Sequence, residues 1–208
     1  MTLRRIFLLF LPVVFSVALS VPIQAQANEG AVNFVQKMTD HAIGFLANPD
    51  LSHDQRKAEF RGMLKKSFDL RTIGRFVLGK YWKQATPKQQ QEYLKLFEER
   101  LVNIYSNRFK EYDGQKIEIS GARPEGDDTL VTTFIVSDSS KPIQIDWRVR
   151  NKGGAYKIVD VVVEGVSMGV TQRSDYASVI QSGGGDVEYL LTSLRAGKGA
   201  GNVADNGS

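Results

Sequence analysis

The sequence predicts an α+β fold in which helices cover one face of an antiparallel sheet of about four strands. Three observations point there. Apolar residues recur at helical spacing from Val35 to Phe109, the period drops to two from Ile117 to Glu164, and helical spacing returns from Tyr176 to Leu194. The 208 residues, 42% hydrophobic and 24% charged, suit one globular domain.

The first helix spans about Glu29 to Leu46, with Val35, Met38, Ala42 and Phe45 on one face and Asn48-Pro49-Asp50 as its stop. A second runs from about His53 to Ser67, capped by Ser52, with Phe60, Met63 and Leu64 on its apolar side. A third carries Phe68, Ile73, Phe76 and Val77 toward Tyr81-Trp82. The fourth has the clearest start: Thr86-Pro87-Lys88-Gln89 supplies an N-cap, a proline at the first helical position and a capping-box glutamine. Leu94, Phe97, Leu101, Ile104, Tyr105 and Phe109 form its stripe, opposite Lys95, Glu98, Glu99 and Arg100.

After Asp113-Gly114 the alternation reads Ile117, Ile119, then Leu130, Thr132, Phe134, Val136, then Ile143, Ile145, Trp147, Val149. Short turn-rich linkers join these runs into a meander that ends in Tyr156 to Glu164. Gln144, Asp146, Arg148 and Arg150 mark a wet face, which is either a docking surface or simply a solvated one. Two short helices follow, separated by Gly183-Gly184-Gly185, and the Gly-, Ala- and Asn-rich tail from 197 to 208 is expected to be disordered.

Arg4-Arg5, the apolar run from Ile6 to Val21 and Ala25-Gln26-Ala27 read as a signal peptide over residues 1–27, cleaved before Asn28, which leaves one domain over 28–196. The signal takes two arginines and no acid, so net charge falls from +4 to +2. With no Lys/Arg run interleaved with aromatics, nucleic acid is not an expected partner. The absence of Cys excludes disulfides, thiolate metal sites, Cys nucleophiles and a lipidated N-terminal Cys.

Two blocks carry a family resemblance: Phe76-Val77-Leu78-Gly79-Lys80-Tyr81-Trp82 with the following Ala85-Thr86-Pro87, and Lys157 to Met168 with Arg173-Ser174-Asp175-Tyr176. In their order and spacing the chain resembles, over about Phe34 to Arg195, the MlaC or toluene-tolerance family of periplasmic lipid-binding proteins, including hopanoid-transport relatives. The resemblance implies a curved antiparallel sheet and helices around an apolar cavity for acyl chains. It implies a periplasmic carrier of phospholipid, or alternatively of a hopanoid-type lipid, and no enzymatic activity. The implied partners are an outer-membrane lipoprotein complex and an inner-membrane ABC transporter with its substrate-receiving subunit. For two acyl chains the cavity should approach about 1,000 Å³.

On that resemblance the candidate lipid-binding residues are Phe76, Val77, Tyr81, Phe97, Leu101, Tyr105 and Phe109 from the helices and Phe134, Ile145, Trp147, Val149, Ile158 and Val162 from the sheet. Val166 and Met168 complete the set. Without it, the aromatic stripe of Tyr93, Phe97, Tyr105 and Phe109 reads equally as filled core.

One motif suggests other chemistry. Gly165-Val166-Ser167-Met168-Gly169 is a literal G-x-S-x-G between a strand and a helix, so a lipid hydrolase using Ser167 is the weaker alternative. A hydrolase needs a parallel sheet and a downstream acid and histidine, whereas His41 and His53 lie far upstream. The bland reading is a tight turn. Two histidines and no Cys assemble no metal site, no cofactor is implied, and Glu98-Glu99 and Asp127-Asp128 read as a solvated helix face and a turn.

Overall fold

The structure, a computed structural model, describes residues 23–138 and 140–197. Helix α1 (Ile23–Ala47) is followed by α2 (His53–Ser67), α3 (Leu70–Leu78) with a 3₁₀ turn at Gly79–Lys83, and α4 (Pro87–Ser106) with a second 3₁₀ turn at Phe109–Glu111. Strands β1 (Lys116–Glu125), β2 (Asp128–Ser137), β3 (Ser140–Lys152), β4 (Ala155–Val163) and the two-residue β5 (Val166–Ser167) come next. Helices α5 (Met168–Ser182) and α6 (Val187–Arg195) close the chain. The strands pair in sequence order as an open antiparallel meander, with β5 added to the expected four.

The predicted caps form. Ser52 accepts from the Gln55 N–H while the Gln55 side chain accepts from the Ser52 N–H, and Thr86 and Gln89 repeat the exchange at α4. Asp69 caps α3 by accepting from Thr72. Phe68, expected within the third helix, instead adopts an extended conformation and bridges to Ile158, and α4 ends before Phe109. Helix α1 begins upstream of the expected processing point and runs through Ala27; the rest of the expected signal, and the tail beyond Gly197, lie outside the described residues.

Two separately packed cores organise the domain. One joins Val77, Leu78 and Tyr81 to Tyr93 and Phe97 of α4 and to Tyr176, Ile180, Leu190 and Leu191 of α5 and α6. Gly74 lies where a β-carbon would come within 2.7 Å of Leu94, and the Tyr93 hydroxyl donates to the Gly74 carbonyl at 3.1 Å. Burial pushes the Tyr93 hydroxyl well above its ordinary pKa, and that of Tyr176 up to about 12. The second core packs Val35, Met38 and Phe45 of α1 and Met63 of α2 against Val131, Val149 and Ile158 of the sheet.

The register decides which sheet residues face the helices. Val131 lies opposite Trp147 and Thr133 opposite Ile145, whereas Leu130, Thr132 and Phe134 lie opposite Arg148, Asp146 and Gln144 on the outer face. On β4 the pairs Arg148–Asp160 and Val149–Ile158 leave Val159 without a partner. This bulge shifts the alternation by one residue, so Ile158 and Val161, not Ile158 and Val162, share the inner face. The outer face is polar but internally paired: Arg148 reaches Glu125 at 2.9 Å, and Arg150 grips Asp128 through two bonds at 2.7 and 2.8 Å.

Candidate functional site

A cavity of about 250 Å³ lies between the two cores and takes its walls from both. Helices α1 and α2 contribute Met38, Ala42, Phe60, Met63 and Leu64; α4 contributes Phe97, Leu101 and Tyr105; the sheet contributes Ile117, Ile145, Trp147, Val161 and Val163. Ile73 and Met168 close the side formed by α3 and α5. The lining is almost wholly apolar. Thr39, Asp160 and Gln172 are its polar side chains, and Thr39 donates back to the carbonyls of Val35 and Gln36 within its own helix.

Each wall has a local cause. Trp147 is held by its indole N–H, which donates to the buried Thr133 hydroxyl at 3.0 Å, leaving the ring for the cavity. Phe60 is wedged between Tyr105 and Phe109, with ring centroids 6.1 and 5.4 Å apart. Met38, Met63 and Met168, the methionines of the described chain, all line the cavity. Their unbranched thioether side chains repack around irregular shapes more readily than branched aliphatics do.

Of the residues expected to bind lipid, the structure brings Phe97, Leu101, Tyr105, Ile145, Trp147 and Met168 to this cavity. Val77 and Tyr81 are filled core behind α4, and Val149 and Ile158 are filled core under α1. Phe109 stands one ring back, against Phe45 and Phe60. Phe134 and Val162 face outward, the first because β2 runs in the opposite phase to that expected and the second because of the bulge at Val159. Phe76 and Val166 are exposed. The cavity is correspondingly smaller than the expected 1,000 Å³, since much of the intended wall is solid packing. Met38, Ala42, Met63, Val161 and Val163 were missed as wall; the helical spacing of Met38 and Ala42 was visible, but nothing in it distinguished cavity from core.

Ser167 is the N-cap of α5. Its hydroxyl donates to Asp160 at 2.7 Å and accepts from the Val170 N–H at 3.1 Å, and Asp160 also accepts from the Gly169 N–H at 3.1 Å. Glu164 and Gly165, at φ 49° and 82°, form the two-residue turn between β4 and β5. His41 and His53 sit on α1 and α2, beside Glu59 and Asp54, so no histidine serves Ser167. Among the described residues no three His, Asp or Glu side chains are grouped to hold a metal ion.

Residues 36–196 match the profile of the MlaC protein family. The chain belongs to this family. It is 28% identical over 132 residues to the intermembrane phospholipid transport system binding protein MlaC of Haemophilus influenzae, a match covering 61% of either chain. It is also 28% identical over 113 residues to the toluene tolerance protein ttg2D of Pseudomonas putida, covering 54% of this chain and 53% of that one. These matches thus span little more than half the length of either relative. The fold is shared with a Ralstonia solanacearum phospholipid-binding protein solved in complex with a phospholipid: TM-score 0.70, 23% identity, 81% of this chain and 96% of that one. Among the described residues of this MlaC-family chain, no helix is long and apolar enough to cross a membrane.

Proposed function

We propose that this MlaC-family protein is a periplasmic phospholipid carrier and not an enzyme, its acyl-chain site being the cavity between the two cores. The observation that carries the proposal is the apolar lining contributed by both cores, in which the Thr39 hydroxyl and the Asp160 carboxylate are hydrogen-bonded within the protein. The names of the relatives, one a phospholipid transport binding protein, and the phospholipid-bound fold neighbour support the same cargo.

The physical need is simple. Exposing an acyl chain to water costs about 0.8 kcal/mol per methylene, so a two-chain lipid does not cross an aqueous gap unaided. A carrier substitutes apolar side chains for water. A cavity of about 250 Å³ is below the usual range for even a drug-sized ligand, so loading must widen it, and the methionine-rich wall is suited to repacking as it does. The headgroup stays at the mouth, which avoids burying a charge. In this proposal the exported protein exchanges lipid with an outer-membrane lipoprotein complex and with the substrate-receiving subunit of an inner-membrane ABC transporter.

Native mass spectrometry of the purified, processed protein tests the proposal. Co-purified phospholipid of intact mass is the expected result. A hopanoid mass would reassign the cargo, lysolipid or free fatty acid would indicate hydrolysis, and a bare protein that takes up no added phospholipid would overturn the carrier.

A further inference from the structure

Helices α3 and α5 turn one side to the cavity, through Ile73, Met168 and Gly169, and the other to solvent. The solvent side is basic. Arg71 and Arg75 lie one turn apart on α3, Lys80 and Lys83 follow on the 3₁₀ turn, and Arg173 approaches from α5, close enough that a β-carbon on Gly79 would meet its guanidinium at 3.0 Å. None of these five cations makes an ion pair among the described residues, in contrast to the arginines of the outer sheet face. Asp69, at the start of α3, is occupied by Thr72, and Asp175, the acid of α5, pairs with none of the five.

Aromatic and aliphatic side chains are interleaved with these charges. Phe76 is 42% exposed and Val170 56% exposed, both bordering one shallow groove, while Phe76 and half-buried Trp82 border the next. The cations lie over the rings: Arg173 is 5.2 Å from the Phe76 centroid, Arg75 is 5.6 Å from Trp82, and Lys80 is 5.1 Å from Tyr81. The result is a surface of unpaired positive charge with Phe76 and Trp82 at its centre and Val170 at its edge, where the first groove passes onto the outer sheet face lined by Glu125, Asp128, Asp146 and Asp160.

We infer that this surface docks on anionic bilayers, with Arg75, Lys83 and Arg173 meeting lipid phosphates while Phe76, Trp82 and Val170 settle at headgroup depth. Unpaired Lys and Arg answer the negative potential of an anionic leaflet, and Trp and Phe at their centre are the side chains that favour the interface between water and lipid. The choice of a bilayer over an acidic protein rests on the carrier reading above, because the helices bearing the patch also wall the cavity.

Vesicle flotation of the processed protein, with native mass spectrometry on the same preparations, tests the inference. The wild type should float with phosphatidylcholine vesicles containing a quarter phosphatidylglycerol, not with phosphatidylcholine alone, and high salt should weaken the association. Arg75→Glu/Lys83→Glu/Arg173→Glu should lose at least about tenfold in partitioning. Arg71→Gln/Lys83→Gln, confined to exposed side chains, should lose a smaller part and keep the wild-type melting temperature. Failure of the wild type to float with the anionic vesicles overturns the inference, as does flotation that both variants leave unchanged. Retention of a non-floating wild type on poly-L-glutamate would assign the patch to an acidic protein instead. Flotation without any co-purified or loadable lipid would count against the carrier and leave the surface standing.

Discussion

The Ser167 hydroxyl stands between two partners, donating to Asp160 at 2.7 Å and accepting from the Val170 N–H at 3.1 Å, so its oxygen fastens the start of α5 to β4. That arrangement is a cap. Ser167→Ala should therefore destabilise the fold by about 1 kcal/mol, the usual loss for an N-cap serine, while co-purified lipid stays unchanged. Thermal melts and native mass spectrometry read both effects. Esterase turnover in the wild type that disappears in Ser167→Ala would restore the hydrolase.

Asp69 gives a pH signature. Burial alone would raise its carboxyl, but the Thr72 hydroxyl and N–H donate to it and Lys152 and Lys157 lie nearby, holding it below the ordinary carboxylate value. A depressed folded pKa stabilises the native state above the unfolded value of about 3.9, and that contribution is lost as pH falls through the lower folded value. Asp69→Ala should cost about 1 kcal/mol at neutral pH, and the gap to wild type should shrink below about pH 4. Urea titrations at both pH values decide it. A gap that persists undiminished in acid would show that the carboxylate's charge contributes nothing.

Cavity and core should respond oppositely to bulk. Leu101→Trp extends into the cavity and should reduce co-purified lipid while leaving the melting temperature of the delipidated protein nearly unchanged. Val149→Phe enters a site only 1% exposed and should cost about 1 to 3 kcal/mol through strain. Delipidated wild type should melt below the loaded form, because a ligand that binds only the native state stabilises it. Full lipid content and a large stability loss in Leu101→Trp would place that residue in solid core.

Export is testable on a gel. Ala27→Arg should leave the precursor unprocessed, since signal peptidase requires a small residue at the cleavage site, and N-terminal sequencing of the wild type should begin at Asn28. A secreted wild type that keeps its first 27 residues would contradict the expected processing.

Local rules made much of this fold legible. The capping boxes at Ser52 and Thr86 rest on residues three positions apart, and the change from helical to alternating spacing after Asp113-Gly114 marks where the sheet begins. The site was less legible. Phe97, Leu101, Tyr105, Ile145, Trp147 and Met168 reach the cavity, but the stripe holding the first three also holds residues buried in solid core. Whether an apolar side chain meets a cavity or another side chain depends on how two cores are spaced, which no local pattern encodes. The alternation of Leu130, Thr132 and Phe134 predicts one phase for β2, yet it is Val131 and Thr133 that turn inward, because both faces of that strand carry apolar residues. Phe76, read as lining, joins the exposed basic surface instead.

The unpaired Val159 acts on β4 as an inserted letter acts on a reading frame of two. Upstream of it, Ile158 is in phase with the second core; downstream, Val161 and Val163 reach the cavity, and Asp160 is left at the seam where it can fasten α5. Removing that one letter would turn the pairs Val149–Ile158, Arg148–Asp160 and Trp147–Val161 into an unbroken ladder, with Val161 and Val163 still facing inward and Val162 still outward. A single extra residue therefore lets unevenly spaced side chains of one strand serve two compartments, and a deletion there would remove the local bend of β4 without moving any cavity side chain to the other face.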